Sequence, residues 1–108
     1  MQRIALHTRL AADAIDEYER HHAVIPPELD AALREAGVQA WRIWRDGPDL
    51  FHVIEVMDYA SMRAQLRDHP ANVAWQARMA PLHEIADDYS GSDSGLSLVW
   101  ELPTSSPR

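Results

Sequence analysis

Apolar and polar residues alternate from the start of the chain. Over residues 3–10, Ile4, Leu6, Thr8 and Leu10 point one way, and Ala5, His7 and Arg9 the other, the pattern of a half-buried strand. The period then lengthens. After Asp13, a candidate N-cap, Ile15, Tyr18, His22 and Ile25 recur at helical spacing. Pro27 and Glu28 suit the first turn of a second helix, whose stripe is Leu29, Ala32, Leu33 and Ala36 and whose stop is Gly37. Residues 38–45 read as a second strand and 50–57 as a third, joined by Asp46-Gly47-Pro48-Asp49 into a hairpin. A helix is expected over 61–68, an interruption at His69-Pro70, and a further helix over 71–80 that resumes after Pro81. Residues 87–95 are polar and rich in Ser and Gly, a loop; 96–102 read as the last strand.

This order, β-α-β-β-α-β, is the ferredoxin-like α+β arrangement with a four-stranded antiparallel sheet. It predicts one domain over residues 1–103, followed by a disordered tail over 104–108. Helices on one face leave the other face of the sheet open. In a chain of 108 residues the expected cover is a second copy, giving a dimeric α/β barrel. Trp41, Trp44 and Trp100 are candidates for that open face.

Composition narrows the function. The net charge of −7, with scattered arginines, argues against nucleic acid and against an anionic substrate. The chain has no lysine, which excludes Schiff-base chemistry, and no cysteine, which excludes disulfides and thiolate metal sites. No apolar run reaches the length of a membrane span, and no signal-peptide core follows Met1, so a cytoplasmic protein is expected. Six histidines invite a metal hypothesis, but none of their spacings matches a ligand motif; neither a metal nor a cofactor is expected.

The candidate chemistry starts at Tyr18-Glu19-Arg20-His21-His22. Tyr18 and His22, four residues apart, share one helix face, where a phenol and an imidazole can bind a polar molecule and move protons. The plainer reading makes them satisfied core residues on the stripe with Ile15 and Ile25. His7 and His52 fall on strands and read first as hydrogen-bonded sheet residues, with His7 a further acid–base or binding candidate. His21, His69 and His83 read as surface. Trp75 and Gln76, near Met79, make a second cluster: an indole to stack on a sugar face and an amide to bond its hydroxyls, or a core stripe.

Together these residues resemble the L-rhamnose mutarotase family, which includes L-fucose mutarotase-like members. The resemblance runs from Arg3 to Leu102. It rests on Tyr18-x-x-x-His22 followed by Pro27-Glu28, the aromatic strand over 41–44, Leu50-Phe51 with Glu55, Trp75-Gln76 with Met79, and Val99-Trp100-Glu101-Leu102. It implies a dimeric ferredoxin-like enzyme, with His22 at the position of a proton donor and Tyr18 at that of a substrate-binding tyrosine. Trp41 stands where the family often has a substrate-contacting tyrosine, and Trp75 and Gln76 fall on a substrate-binding pair. Ile25-Pro26-Pro27-Glu28 replaces the family's usual Ile-Trp-Pro-Glu. The implied reaction is 1-epimerisation of a 6-deoxyhexose, L-rhamnose or L-fucose, by general acid–base ring opening. The alternatives are a cofactor-free monooxygenase of the same architecture and a non-catalytic sugar-binding dimer.

Overall fold

The structure, a computed structural model, describes residues 1–103; the tail expected over 104–108 lies outside the described residues. The elements in chain order are β1 (Gln2–Leu10), α1 (Ile15–Ala23), α2 (Pro27–Glu35), β2 (Val38–Asp46), β3 (Asp49–Val56), α3 (Tyr59–Arg67), α4 (Pro70–Met79), a 3-10 turn (Ala80–Leu82) and β4 (His83–Ile85). The strands form one antiparallel sheet in the order β2-β3-β1-β4, the ferredoxin-like order.

Local chemistry sets most boundaries. Pro27 occupies the first turn of α2, and Gly37, at φ +94°, ends it in the left-handed conformation that glycine adopts without strain. Asp58 caps α3 by accepting a hydrogen bond from the Ser61 amide, and the His69 ring accepts one from the Ala71 amide, with Pro70 leading α4. Asp13 does not cap α1 as expected. Ala14 holds the N-cap position and offers no side-chain bond, because the turn is closed instead by backbone bonding of Ala14 to Ala11.

The inner face of the sheet carries Leu6, Thr8, Leu10, Leu50, His52, Ile54 and Val56 against the helices. One apolar cluster joins that face to Met62 and Leu66 of α3; a second joins it to Tyr18, Leu29, Trp75, Met79 and Leu82. The second cluster surrounds the site.

Two expectations change. A bulge at Gln39 shifts the register of β2 against β3, so Val38 pairs with Val56 while Trp41 pairs with Ile54 and Ile43 with His52. The extra residue moves the alternation on by one. Trp41 and Ile43 therefore join Val38 on the inner face, and Trp41 is not an outer-face aromatic; Trp44 and Trp100 are exposed. The fourth strand is His83–Ile85, not 96–102. The 3-10 turn returns the chain to β1, where the Ala11 amide bonds the Leu82 carbonyl and β4 pairs at Arg9 and Leu10. Residues 96–102 run as irregular chain, their Leu96 amide bonded to the Ala5 carbonyl, with Leu98, Val99, Trp100 and Leu102 exposed. Their alternation is that of a strand, but among the described residues they join no ladder.

Candidate active site

A cavity of about 490 Å³ opens between the helices and the inner face of the sheet, within the usual range for small-molecule sites. Its polar lining is Tyr18, His22, His52, Asn72, Gln76, His83 and Tyr89, with the indoles of Trp41 and Trp75. Ile25, Leu29, Leu33, Ile43 and Met79 form an apolar side.

Helical spacing places the rings of Tyr18 and His22 in a stack, centroids 4.0 Å apart. Trp75 of α4 meets His22 in a T-shaped contact at 5.0 Å. The His22 Nδ1 lies 3.0 Å from the Tyr18 carbonyl. A carbonyl can only accept, so Nδ1 carries the proton, and the neutral ring keeps its lone pair on Nε2. Burial lowers the His22 pKa below its ordinary value, further than the bond to the Tyr18 carbonyl raises it. His22 is thus neutral at physiological pH, with a basic Nε2. Burial moves the Tyr18 phenol the other way, well above its ordinary range, so it remains a hydrogen-bond donor.

His52 is held differently. The Trp41 indole N–H can only donate, and it lies 3.1 Å from the His52 Nδ1. That nitrogen therefore accepts, and Nε2–H donates to the Thr8 hydroxyl at 2.9 Å. Both nitrogens are occupied, and burial pushes the pKa down to about 4. His52 is a neutral structural imidazole in the cavity floor. Gln76 donates to Asn72, which in turn donates to the Leu66 carbonyl, fixing the amide beside Trp75.

Of the residues singled out from the sequence, the fold brings Tyr18, His22, Trp41, Trp75 and Gln76 to one cavity. It does not bring His7. His7 points to the opposite face of the sheet, where its Nε2 meets the Asp49 carboxylate at 2.8 Å beside Arg9. Strand parity decides this: Leu6 and Thr8 face inward, so the residue between them cannot. His7 and Arg9 hold the Asp49 carboxyl below its ordinary pKa.

Nearly all of the chain carries the comparison with known proteins. The L-rhamnose mutarotase family model matches residues 3–102. The chain belongs to that family. Among curated relatives, the L-rhamnose mutarotase of Acidiphilium cryptum is 36% identical, the match covering 95% of this chain and all of the relative. That of Sinorhizobium medicae is 34% identical over 94% of this chain and 99% of the relative. The crystal structure of an L-rhamnose mutarotase from Formosa agariphila superposes with a TM-score of 0.75 at 23% identity, covering 95% of this chain and 100% of that one. Tetracenomycin F2 cyclase of Streptomyces glaucescens shares the fold at a TM-score of 0.59 and 19% identity, over 95% of this chain and 100% of its own. One fold thus serves different chemistries, and function has to be argued from the site.

Within this mutarotase-family chain, the cavity also takes polar residues with no sequence signal read as functional: Asn72, His83 and Tyr89. The sequence puts His83 at the surface and Tyr89 in the polar Ser- and Gly-rich loop over 87–95; both line the cavity, and burial pushes the Tyr89 phenol up to about 12. A signal for His83 existed. It follows Met79 by four residues, as His22 follows Tyr18, and its Nδ1 lies 3.0 Å from the Met79 carbonyl. Arg63 is the other surprise. It is buried on α3 with its Nη2 at 2.6 Å from Asp87 and 3.3 Å from Asp93, under the ring of Tyr89. Burial works to lower its pKa, but the Asp87 contacts overcome that and raise it. This cluster fastens the segment after β4, with Tyr89, to the cavity wall.

Proposed function

We propose that the protein is an aldose 1-epimerase that interconverts the α and β anomers of a 6-deoxyhexose, L-rhamnose first and L-fucose as the competing substrate. The observation that carries this reading is His22: a neutral imidazole with a free Nε2 beside a stacked phenol and an indole, in a cavity with room for a monosaccharide. Family membership supports the reaction class.

Mutarotation opens the pyranose to an open-chain aldehyde and closes it on the other carbonyl face. On opening, the anomeric O–H bond and the bond from the anomeric carbon to the ring oxygen break. A C=O bond and a ring-oxygen O–H bond form. Carbon is neither oxidised nor reduced, so acid–base groups suffice. His22 Nε2 takes the anomeric proton and returns it on closure; such assistance is worth about 10²–10⁴-fold in rate. In this reading Tyr18 and Gln76 bond hydroxyls, Trp75 stacks on the ring, and Ile25, Leu29, Leu33, Ile43 and Met79 take the 6-methyl group; that all of them line the one cavity supports it. Saturation-transfer NMR of anomer exchange tests the assignment. His22→Ala, folded by circular dichroism, should lose nearly all acceleration; full activity would remove His22 from the mechanism.

The working unit in this reading is a homodimer in the cytoplasm. Trp44 and Phe51 lie exposed on the outer sheet face, and Leu98, Val99, Trp100 and Leu102 on the arm that leaves it. A second copy would cover these surfaces. Sedimentation at micromolar concentration should give twice the chain mass; a monomer would contradict the dimer. Among the described residues, no helix is long and apolar enough to cross a membrane, and the chain has no cysteine.

A further inference from the structure

Ring opening needs a second proton transfer, to the ring oxygen, and His22 supplies only one. Tyr18 and His7 are the other acid–base candidates in the sequence. His7 lies on the far face of the sheet, and the buried Tyr18 phenol resists giving up its proton. His83 has the geometry both lack. Its Nδ1–H donates to the Met79 carbonyl, four residues earlier, at 3.0 Å. His22 repeats that arrangement with the Tyr18 carbonyl, also at 3.0 Å. In each ring the backbone bond fixes the Nδ1 proton and leaves Nε2 as the atom that exchanges one. The two imidazoles flank one phenol: Tyr18 stacks on His22 at 4.0 Å and meets His83 edge-on at 5.5 Å. Both line the same cavity, His83 from the start of β4 and His22 from α1.

We propose that His83 is the second acid–base residue of the site, exchanging a proton with one oxygen of the anomeric centre while His22 serves the other. This rests on the mutarotase reading of the cavity. On opening, the His83 imidazolium protonates the ring oxygen as its bond to the anomeric carbon breaks, and His22 Nε2 removes the anomeric proton. The pair has then exchanged charge states. On closure His83 takes back the ring-oxygen proton, His22 returns its own, and the pair is restored with no net proton gained. The working state is singly protonated. The charged and titratable groups around His83 are Asp87, Tyr89 and Arg67 at a neighbouring hollow, and Tyr18 and His22 of α1 in the shared cavity. A step that needs one ring charged and the other neutral gives a bell-shaped rate profile.

The test is anomer exchange of L-rhamnose by saturation-transfer NMR across pH 5–9, for the native protein, His83→Asn and His83→Gln. Asn keeps an amide donor near the Nδ1 position and removes the Nε2 that exchanges a proton; Gln serves where Asn does not fold. The folded variant should lose about 100-fold in kcat while sugar affinity by tryptophan fluorescence stays within about threefold. One limb of the pH profile should vanish, and added imidazole should restore part of the rate. A variant with kcat within about threefold of the native protein and an unchanged profile would overturn the role of His83 and leave the mutarotase reading standing. No acceleration of any pyranose by the native protein would overturn both.

Discussion

His52 makes a pH dependence of stability that can be worked out from its bonds. Its Nδ1 accepts from the Trp41 indole and its Nε2–H donates to Thr8, so a second proton has no place to go. Burial lowers its pKa from 6.5 to about 4. An unfolded chain binds a proton at this ring below pH 6.5, whereas the folded chain refuses it until about pH 4. Unfolding therefore takes up a proton in that window. The stabilisation is whole above pH 6.5 and is lost as the pH falls toward 4. At about 1.4 kcal/mol per pH unit, the interval is worth about 3 kcal/mol, a large part of the roughly 5–15 kcal/mol typical of such domains. His52→Gln has no ring to titrate and makes only one of the two bonds, so it should be about 1–2 kcal/mol less stable at pH 7. Urea unfolding followed by tryptophan fluorescence at pH 7, 6, 5 and 4, at one protein concentration, gives both curves. Carboxylates titrate alike in the two proteins and cancel in the difference. That difference should shrink by about 3 kcal/mol and change sign on acidification. Parallel curves would refute the assignment of a neutral, doubly bonded His52.

Two further outcomes follow from packing. Arg63→Met strips the partner from Asp87 and Asp93 and should cost about 3–5 kcal/mol, as when one member of a buried ion pair is removed; replacing both aspartates by Asn in the same chain should recover part of it, read as Tm by circular dichroism. Gly95→Ala would place a Cβ 2.6 Å from Ile4 Cγ2 and 3.1 Å from the Ala5 carbonyl at φ +84°, so Tm should drop by several degrees, at about 4–8 °C per kcal/mol; an unchanged Tm would show that this segment does not lie against β1.

The parts of the site that lie on regular helices were legible in the sequence. Tyr18 with His22, and Trp75 with Gln76, follow from a period of 3.6 and from the company of Ile25 and Met79. The sheet was legible up to the point where its parity broke. Alternation across 41–44 cannot show that a bulge at Gln39 turns Trp41 inward, since the bulge is a property of the β2–β3 pairing. The last strand misled for a related reason. Residues 96–102 carry the alternating pattern yet join no ladder among the described residues, while the strand that does pair, His83–Ile85, is three residues long, too short to show a period. His83 was hidden with it. Arg63 was hidden by distance, its partner Asp87 lying 24 positions away on irregular chain. Such a bond has no local signature.

The most direct test of the account is the native protein with L-rhamnose and with L-fucose, at fixed pH, by saturation-transfer NMR. Anomer exchange well above the protein-free rate for L-rhamnose, abolished by His22→Ala in a folded chain, is the predicted result. Exchange at the protein-free rate for both sugars would contradict the account.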